Sequence, residues 1–439
     1  MRGRLLKGGA LTMALKLINL GLMFITSIIL ARILGTHDYG SYIFVFTLVG
    51  LLSEPVFLAL RTVAIRNGTI YLEQTRYDYL QGMIQMLGKV VCISGFFSTA
   101  VLMLCAFFLK DRTEGGHYTL YLVAAVLPFI WGVNRIKDGL LRSAGSVFAS
   151  QAPKLLFRPL LLLVYVFITW WLLDESFNAS WAMAMQILAA ASAALLYGWL
   201  FRGRYNEYLD GVEAKHESRE WRKSMVPLIF TGVFENLNTR IGILLIGLLM
   251  APAQTGVFHA AYRLAELIVL AFASANVVFE PHMARLYHNG EHQALQRKLT
   301  TIARLVFALS LPVAAVMIIW GEWILSLWGK EFATAAPALT ILAATQLVNA
   351  AFGSSAMLLL MTHYAKIAAS GLMLGVCIKA ALCFALIPHY GITGAAWAAF
   401  GGMLITKIYL MIRAETTLGL HTSVAGAAFA RLFYTPKEH

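Results

Sequence analysis

Residues 29–46 read ILARILGTHDYGSYIFVF. The arms are apolar, while the centre, RILGTHDYG, gathers Arg32, Gly35, His37, Asp38 and Gly40. A short polar turn between two long greasy runs is the signature of a helical hairpin. Gly35 and Gly40 punctuate such a turn. Arg32 suits the carboxyl-terminal end of the first helix, where a cation meets the negative end of the dipole. Tyr39 and Tyr42 are expected in an interfacial aromatic belt.

The rest of the chain repeats the theme. Of 439 residues, 59% are hydrophobic and 13% charged, and the mean hydropathy is +0.71. Soluble proteins carry about 25% charged residues, and a helix needs about 20 mostly apolar residues to cross a bilayer. Twelve runs meet that need: 11–31, 39–60, 86–109, 119–136, 155–173, 180–201, 226–249, 257–279, 303–321, 335–360, 366–387 and 391–412. Backbone polar groups in lipid must be satisfied within the segment, so the spans are helices. None shows the alternation of an outer-membrane strand.

The net charge of +13 invites a polyanion partner. Its placement excludes one. With the first residues in the cytoplasm, only Arg32, Lys110, Arg112 and Lys330 fall outside, and Lys16, Arg61, Lys89, Arg240, Arg263 and Lys379 lie within spans. The other Lys and Arg are on the inside, which is the positive-inside pattern. The expectation is a bacterial inner-membrane protein with both termini cytoplasmic and no nucleic-acid partner. The first run has a basic start but no small-x-small cleavage site, and reads as an uncleaved span. Cys92, Cys105, Cys377 and Cys383 all fall in spans without metal-ligand spacing. They read as small apolar fillers. No metal or cofactor is expected.

A second copy of the opening motif lies half a chain later. Shifting by 216 residues brings Gly40 onto Gly256, Tyr42 onto Phe258 and Trp181 onto Trp397. The charged stretch 202–222, RGRYNEYLDGVEAKHESREWR, divides six spans from six. It reads as a cytoplasmic linker that places Trp221 at the headgroups. The expected architecture is all-α and polytopic, with twelve transmembrane helices. They form two six-helix lobes related by a pseudo-twofold axis along the membrane normal, with a substrate site at the lobe interface. The lobes are 1–201 and 223–412, and 413–439 is a cytoplasmic tail with a short interfacial helix. Small residues at four-residue steps (Ala182, Ala190, Ala194 and Gly198; Gly394, Ala398 and Gly402) mark close helix packing.

Three motifs carry a family resemblance. ILARILGTHDYGSY (29–42), TGVFHAAYRLAEL (255–267) and IPHYGITGAAWA (387–398) resemble helix turns of the O-antigen and exopolysaccharide flippases. These belong to the superfamily that also holds multidrug exporters and lipid II flippases. The resemblance implies translocation of an undecaprenyl-pyrophosphate-linked oligosaccharide to the periplasmic leaflet, by two lobes rocking about a central cavity. It also implies contact with polysaccharide polymerase and chain-length machinery. The sequence departs from the family at Thr239. Many members have an acidic residue there, before the arginine of helix seven, so their coupling-ion chemistry is not carried over.

Charges inside spans cost about 2.5–3.5 kcal/mol on insertion scales, and usually face a bundle interior or a wet cavity. Arg240, Arg263, Lys379 and Arg61 are the candidate pyrophosphate and cavity residues. Arginine suits a dense dianion as a planar partner and lysine as a point charge. Against this stand plainer readings: a local Arg263–Glu266 pair, an interhelical ion pair for Arg240, packing for Lys379, and snorkelling for Arg61. Glu235, Glu266 and Glu54 are candidates for H+ or Na+ coupling, because burial raises a carboxylate's pKa. Glu54 also adjoins Pro55, a potential kink. Asn236, Asn238, Gln346 and Asn349 are candidate sugar contacts.

Two rival functions remain. A multidrug or small-molecule antiporter of the same superfamily would want an acidic, aromatic cavity. A membrane enzyme such as a polymerase or ligase would show a sizeable outer loop. The outer stretches KDRTEGGH (110–117) and DES (174–176) are short, and no nucleotide loop or nucleophile–base constellation is present. No catalytic residue is expected.

Overall fold

The computed structural model describes residues 2–108, 118–173, 176–362 and 364–426, without the side chains of 2–10, 269–278, 280–282 and 284. The outer stretch 110–117, most of 174–176 and the tail from 427 onward lie outside the described residues.

Among the described residues the chain is helical and contains no strand. The elements are α1 (Arg2–Glu73), α2 (Tyr77–Phe108), α3 (Tyr118–Ala124), α4 (Leu127–Ser143), α5 (Val147–Ala152), α6 (Arg158–Leu173) and α7 (Ala179–Leu209). They continue as α8 (Ser218–Leu249), α9 (Pro252–His288), α10 (His292–Ile319), α11 (Gly321–Leu325), α12 (Ala336–Phe352), α13 (Ser355–Met361) and α14 (Ala365–Leu418). Among the described residues, nine helical stretches are long and apolar enough to cross a membrane. Two of them hold a pair of the expected spans each. In α1 the helix is interrupted only at Gly35 (φ 69°, ψ −179°), and in α14 only at Gly391 (φ 59°, ψ −134°). Backbone of this kind is essentially restricted to glycine.

The chain packs as two units, Met1–Asn236 and Leu237–His439. In the first, α4 lies against α1, α2 and α7. In the second, α12 lies against α14, α10 and α9. At 216 residues from Gly35 stands Ala251, which precedes α9 with a different backbone (φ −68°, ψ 149°) from the positive φ of Gly35 (69°). The ring pair Tyr42–Phe46 (5.7 Å) corresponds to Phe258–Tyr262 (6.4 Å). Gly402 packs as its small-residue stripe predicts, since a Cβ there would come within 2.8 Å of the Lys379 Cβ.

Three local expectations are corrected. Tyr39 and Tyr42 do not line an aromatic belt: both are buried, and the Tyr39 hydroxyl is 2.7 Å from Ser27 Oγ. The polar turn serves the fold instead, since Asp38 Oδ2 accepts from the backbone N–H of Ala179 at the start of α7 (3.1 Å). Trp221 does not reach the headgroups. It is 1% exposed and its Nε1 donates to the Tyr71 hydroxyl at 2.8 Å. The linker is correspondingly short, because α7 runs to Leu209 and α8 begins at Ser218. It is clamped to the α1–α2 turn by Lys215–Asp78 (2.9 Å) and Arg76–Glu217 (3.3 Å). Asp78 holds the Lys215 ammonium above its ordinary pKa.

The segment SVAGAAFARLF (423–433), expected as an interfacial helix, lies mostly outside the described residues. After Gly419 (φ 64°), which caps α14, the chain folds back into the second unit. Gln296 pairs with the His421 backbone in both directions (2.8 and 2.7 Å), and Val424 N–H donates to the Ala351 carbonyl (2.9 Å). Last, the cysteines are not uniformly buried fillers, since Cys92 and Cys377 are exposed.

Candidate functional site

The first unit holds a group of charges in the membrane-spanning region. Arg61 on α1 donates from Nε to Asp138 Oδ2 on α4 at 2.7 Å. One turn away, Arg135 Nη2 donates to both carboxylate oxygens of Glu54 at 2.8 and 2.7 Å. Lys154 and Arg158 complete the group from the neighbouring segment. Together with Glu54, Trp131, Asn134, Arg135, Asp138 and Tyr197 they line a recess of about 30 Å³, roughly the volume of one water.

Local backbone chemistry sets the recess. Residues Pro153–Phe157 form a single π-turn between α5 and α6, a feature common at functional sites. Pro159 has no N–H, so the Leu155 carbonyl four residues earlier loses its helical donor. Asn19 Nδ2 supplies one at 3.0 Å. Glu54 adjoins Pro55, and the nearby Gly50 carbonyl accepts from Asn236 Nδ2 at 3.1 Å. Pro159 thus creates a backbone demand that Asn19 meets.

The charge balance of the recess is uneven. Arg61, Arg135, Lys154 and Arg158 face two carboxylates, Glu54 and Asp138. Each carboxylate is already engaged by an arginine. Arg158 rests over the Trp131 ring, 5.7 Å from its centroid, within cation–π range. Trp131 Nε1, Asn134 Oδ1 and Asp138 Oδ1 are buried without a hydrogen-bond partner. Donors, acceptors and surplus cations therefore converge on one small space, and such groups are costly unless satisfied.

The other candidates are distributed as follows. Arg263 Nη1 pairs with Glu266 Oε2 at 2.7 Å, three residues along α9. Arg240 and Arg263 both lie within electrostatic range of His259 and Tyr262. Lys379 is buried and donates to the backbone carbonyl of Asn238 at 2.7 Å. Asn349 Nδ2 reaches Gln346 Oε1 at 3.4 Å. Glu235 is exposed on α8. The predicted residues thus separate into Arg61, Glu54, Glu235 and Asn236 in the first unit, and Arg240, Arg263, Glu266, Asn238, Lys379, Gln346 and Asn349 in the second.

The family model described as "Polysaccharide biosynthesis protein" matches residues 5–287. The chain belongs to that family. A second model, MatE, matches 227–385. In fold, the chain is similar to an inward-facing multidrug resistance MATE family transporter of the MOP superfamily (TM-score 0.73, 14% identity, covering 93% of this chain and 94% of that one). It is also similar to the lipid II flippase MurJ in an inward closed conformation (TM-score 0.70, 12% identity, 92% and 87%). A third likeness is to a MOP superfamily transporter from Pyrococcus furiosus (TM-score 0.64, 13% identity, 94% and 96%), whose binding pocket is described as of reverse polarity. No curated protein matches the chain. The chain is therefore a polytopic membrane protein of the polysaccharide-biosynthesis family, with the fold seen in these transporters.

Against this family background, Arg135, Asp138, Lys154 and Arg158 are the residues that sequence reasoning missed. Arg135, Lys154 and Arg158 stand at cytoplasmic ends of expected spans, where they read as ordinary positive-inside flanks. A signal was available. Arg135 and Asp138 are three apart, and Lys154 and Arg158 four apart, so each pair shares a helix face. Asp138 is an acid among flanking cations, and Pro153 and Pro159 adjoin Lys154 and Arg158.

Proposed function

We propose that this protein is a flippase for an anionic, polyprenyl-pyrophosphate-linked oligosaccharide, moving it from the cytoplasmic to the periplasmic leaflet of a bacterial inner membrane. The observation that carries the reading is the cation surplus of the first unit: Arg61, Arg135, Lys154 and Arg158 against Glu54 and Asp138. A neutral or cationic cargo has no use for it. A pyrophosphate does, because guanidinium groups bind its oxygens in pairs and an ammonium adds a point charge. Membership of a polysaccharide-biosynthesis family supports a glycan on the same cargo.

In this reading the chain makes twelve crossings with both termini cytoplasmic. The lobes 1–201 and 223–412, joined by linker 202–222, alternate access to a central cavity. Arg240, Arg263 and Lys379 add positive charge from the second lobe. Asn236, Asn238, Gln346 and Asn349 contact sugars. The 30 Å³ recess is too small for a diphosphate, so cargo enters by exchanging ion pairs: its phosphates take Arg135 from Glu54 and Arg61 from Asp138. A released Glu54 is then free to take up a proton. Glu235 and Glu266 are the further coupling candidates, with H+ or Na+ as the coupling ion. The prenyl tail stays in lipid, and polymerase and chain-length proteins receive the product.

The MatE match and the likeness to a multidrug transporter favour the second reading, a small-molecule antiporter. Gene deletion separates the two. The flippase reading predicts lipid-linked glycan trapped on the cytoplasmic leaflet. Normal glycan export with altered drug tolerance would instead establish the antiporter.

A further inference from the structure

At the end of α10 the second unit carries an open recess. Trp320 closes α10, α11 follows at once, and a 3-10 turn runs from Lys330 to Ala335. Between them the recess, of about 540 Å³, is lined by Ile319, Trp320, Glu322, Trp323, Ser326, Lys330 and Ala333. Trp320 and Trp323 are 54% and 66% exposed. Glu322 and Lys330 are also exposed, and among the described residues no ion pair joins them to each other or to a third group. The adjoining Trp328 and Phe332 are buried and anchor the segment.

An aromatic belt at the lipid headgroups does not account for this grouping. Exposed Ile318 and Ile319 adjoin Trp320, as Phe167, Ile168 and Leu172 adjoin Trp171 in the first unit, so the apolar side alone does not set the two apart. At Trp320 and Trp323 the indoles also frame a carboxylate, a hydroxyl and an ammonium. That combination is the chemistry of carbohydrate recognition. Indole faces stack on the C–H faces of a sugar ring. A carboxylate accepts from its hydroxyls and an ammonium donates to its oxygens. The volume falls in the range of small-molecule sites, enough for a few sugar units and not for a whole chain.

We propose that Trp320, Glu322, Trp323, Ser326 and Lys330 form a glycan-binding site that holds the leading sugars of the cargo as it leaves. The proposal rests on the flippase reading and its topology, which puts the 320–335 segment on the periplasmic side. A docked sugar end stabilises the loaded state that faces outward, while the net direction is set by the cargo gradient or the coupling ion.

The test uses the full chain in lipid nanodiscs. The probes are the oligosaccharide released by mild acid from the cell's own prenyl-linked glycan and, as the headgroup alternative, glycerophosphoglycerol. Saturation-transfer NMR reads binding to each. The wild type is expected to transfer saturation to the sugar ring protons. Trp320→Ala/Trp323→Ala is expected to lose about tenfold in glycan affinity, as removal of buried aromatic anchors does. Glu322→Gln/Lys330→Gln keeps the indoles and the fold, and is expected to lose about threefold. Undiminished glycan binding in both variants, or binding of glycerophosphoglycerol in place of the glycan, would overturn the proposal. Trapped glycan in the deletion strain together with either of those results removes only this site. An untrapped glycan removes the flippase reading itself.

Discussion

Asp138 is the residue on which the first unit's charge arrangement turns. It is 4% exposed, and one of its oxygens receives Arg61 while the other has no partner. Removing one member of a buried pair strands the other, at about 3 kcal/mol. Asp138→Asn is therefore expected to lower unfolding stability in detergent by about that amount. Adding Arg61→Gln should restore much of the loss, because no stranded charge remains. Simple additivity of the two losses in a double-mutant cycle would show that the pair does not act as a unit. At this scale the sequence was only half legible. Glu54 and Arg61 stood out as charges inside a span. Arg135, Lys154 and Arg158 did not, because at the end of a span a charge that snorkels and a charge that turns inward have the same composition. Which one occurs depends on a π-turn and two prolines that a hydropathy profile does not register.

Among the elements, the bends at Gly35 and Gly391 are the parts most exposed to single substitutions. Both residues sit at positive φ in a region closed to side chains, so Gly35→Ala and Gly391→Ala should each cost about 1–3 kcal/mol. Gly21, which has open space around an added Cβ and an ordinary helical backbone, serves as the control, and Gly21→Ala should be neutral or slightly stabilising. Thermal unfolding in detergent gives all three values. Equal effects at the three sites would contradict the bend assignment. The spans themselves were readable, since each is a run of bilayer length. Their extensions were not: α1 runs on to Glu73 and α7 to Leu209, and charged, solvent-facing helix has no hydrophobic period to reveal it. Trp221 misled for a related reason. An indole near charges suggests an interface, yet here its N–H finds the Tyr71 hydroxyl and its ring is buried.

For the whole molecule, the sequence places the division at the charged stretch 202–222, whereas the chain packs as Met1–Asn236 and Leu237–His439, with the division inside α8. Sidedness is predicted by the distribution of Lys and Arg and is directly testable. In a cysteine-free background, His37→Cys and Thr334→Cys should react with a membrane-impermeant thiol reagent applied to intact cells, whereas Glu213→Cys should react only after lysis. The opposite pattern would invert the topology and, with it, the direction of transport. The central claim is that the cation surplus binds and moves an anionic, lipid-linked glycan. Its most direct measurement is flipping by the purified protein in proteoliposomes that carry the native prenyl-linked oligosaccharide, read as the protein-dependent exposure of glycan to an impermeant periodate probe. Flipping should proceed with the wild type, fall at least about tenfold in Arg158→Gln, and recover partly in Arg158→Lys, which keeps the charge but loses the planar fork. Undiminished flipping by Arg158→Gln/Lys154→Gln, or a wild-type protein that leaves the glycan in place while exchanging a small cation across the same membrane, would contradict it.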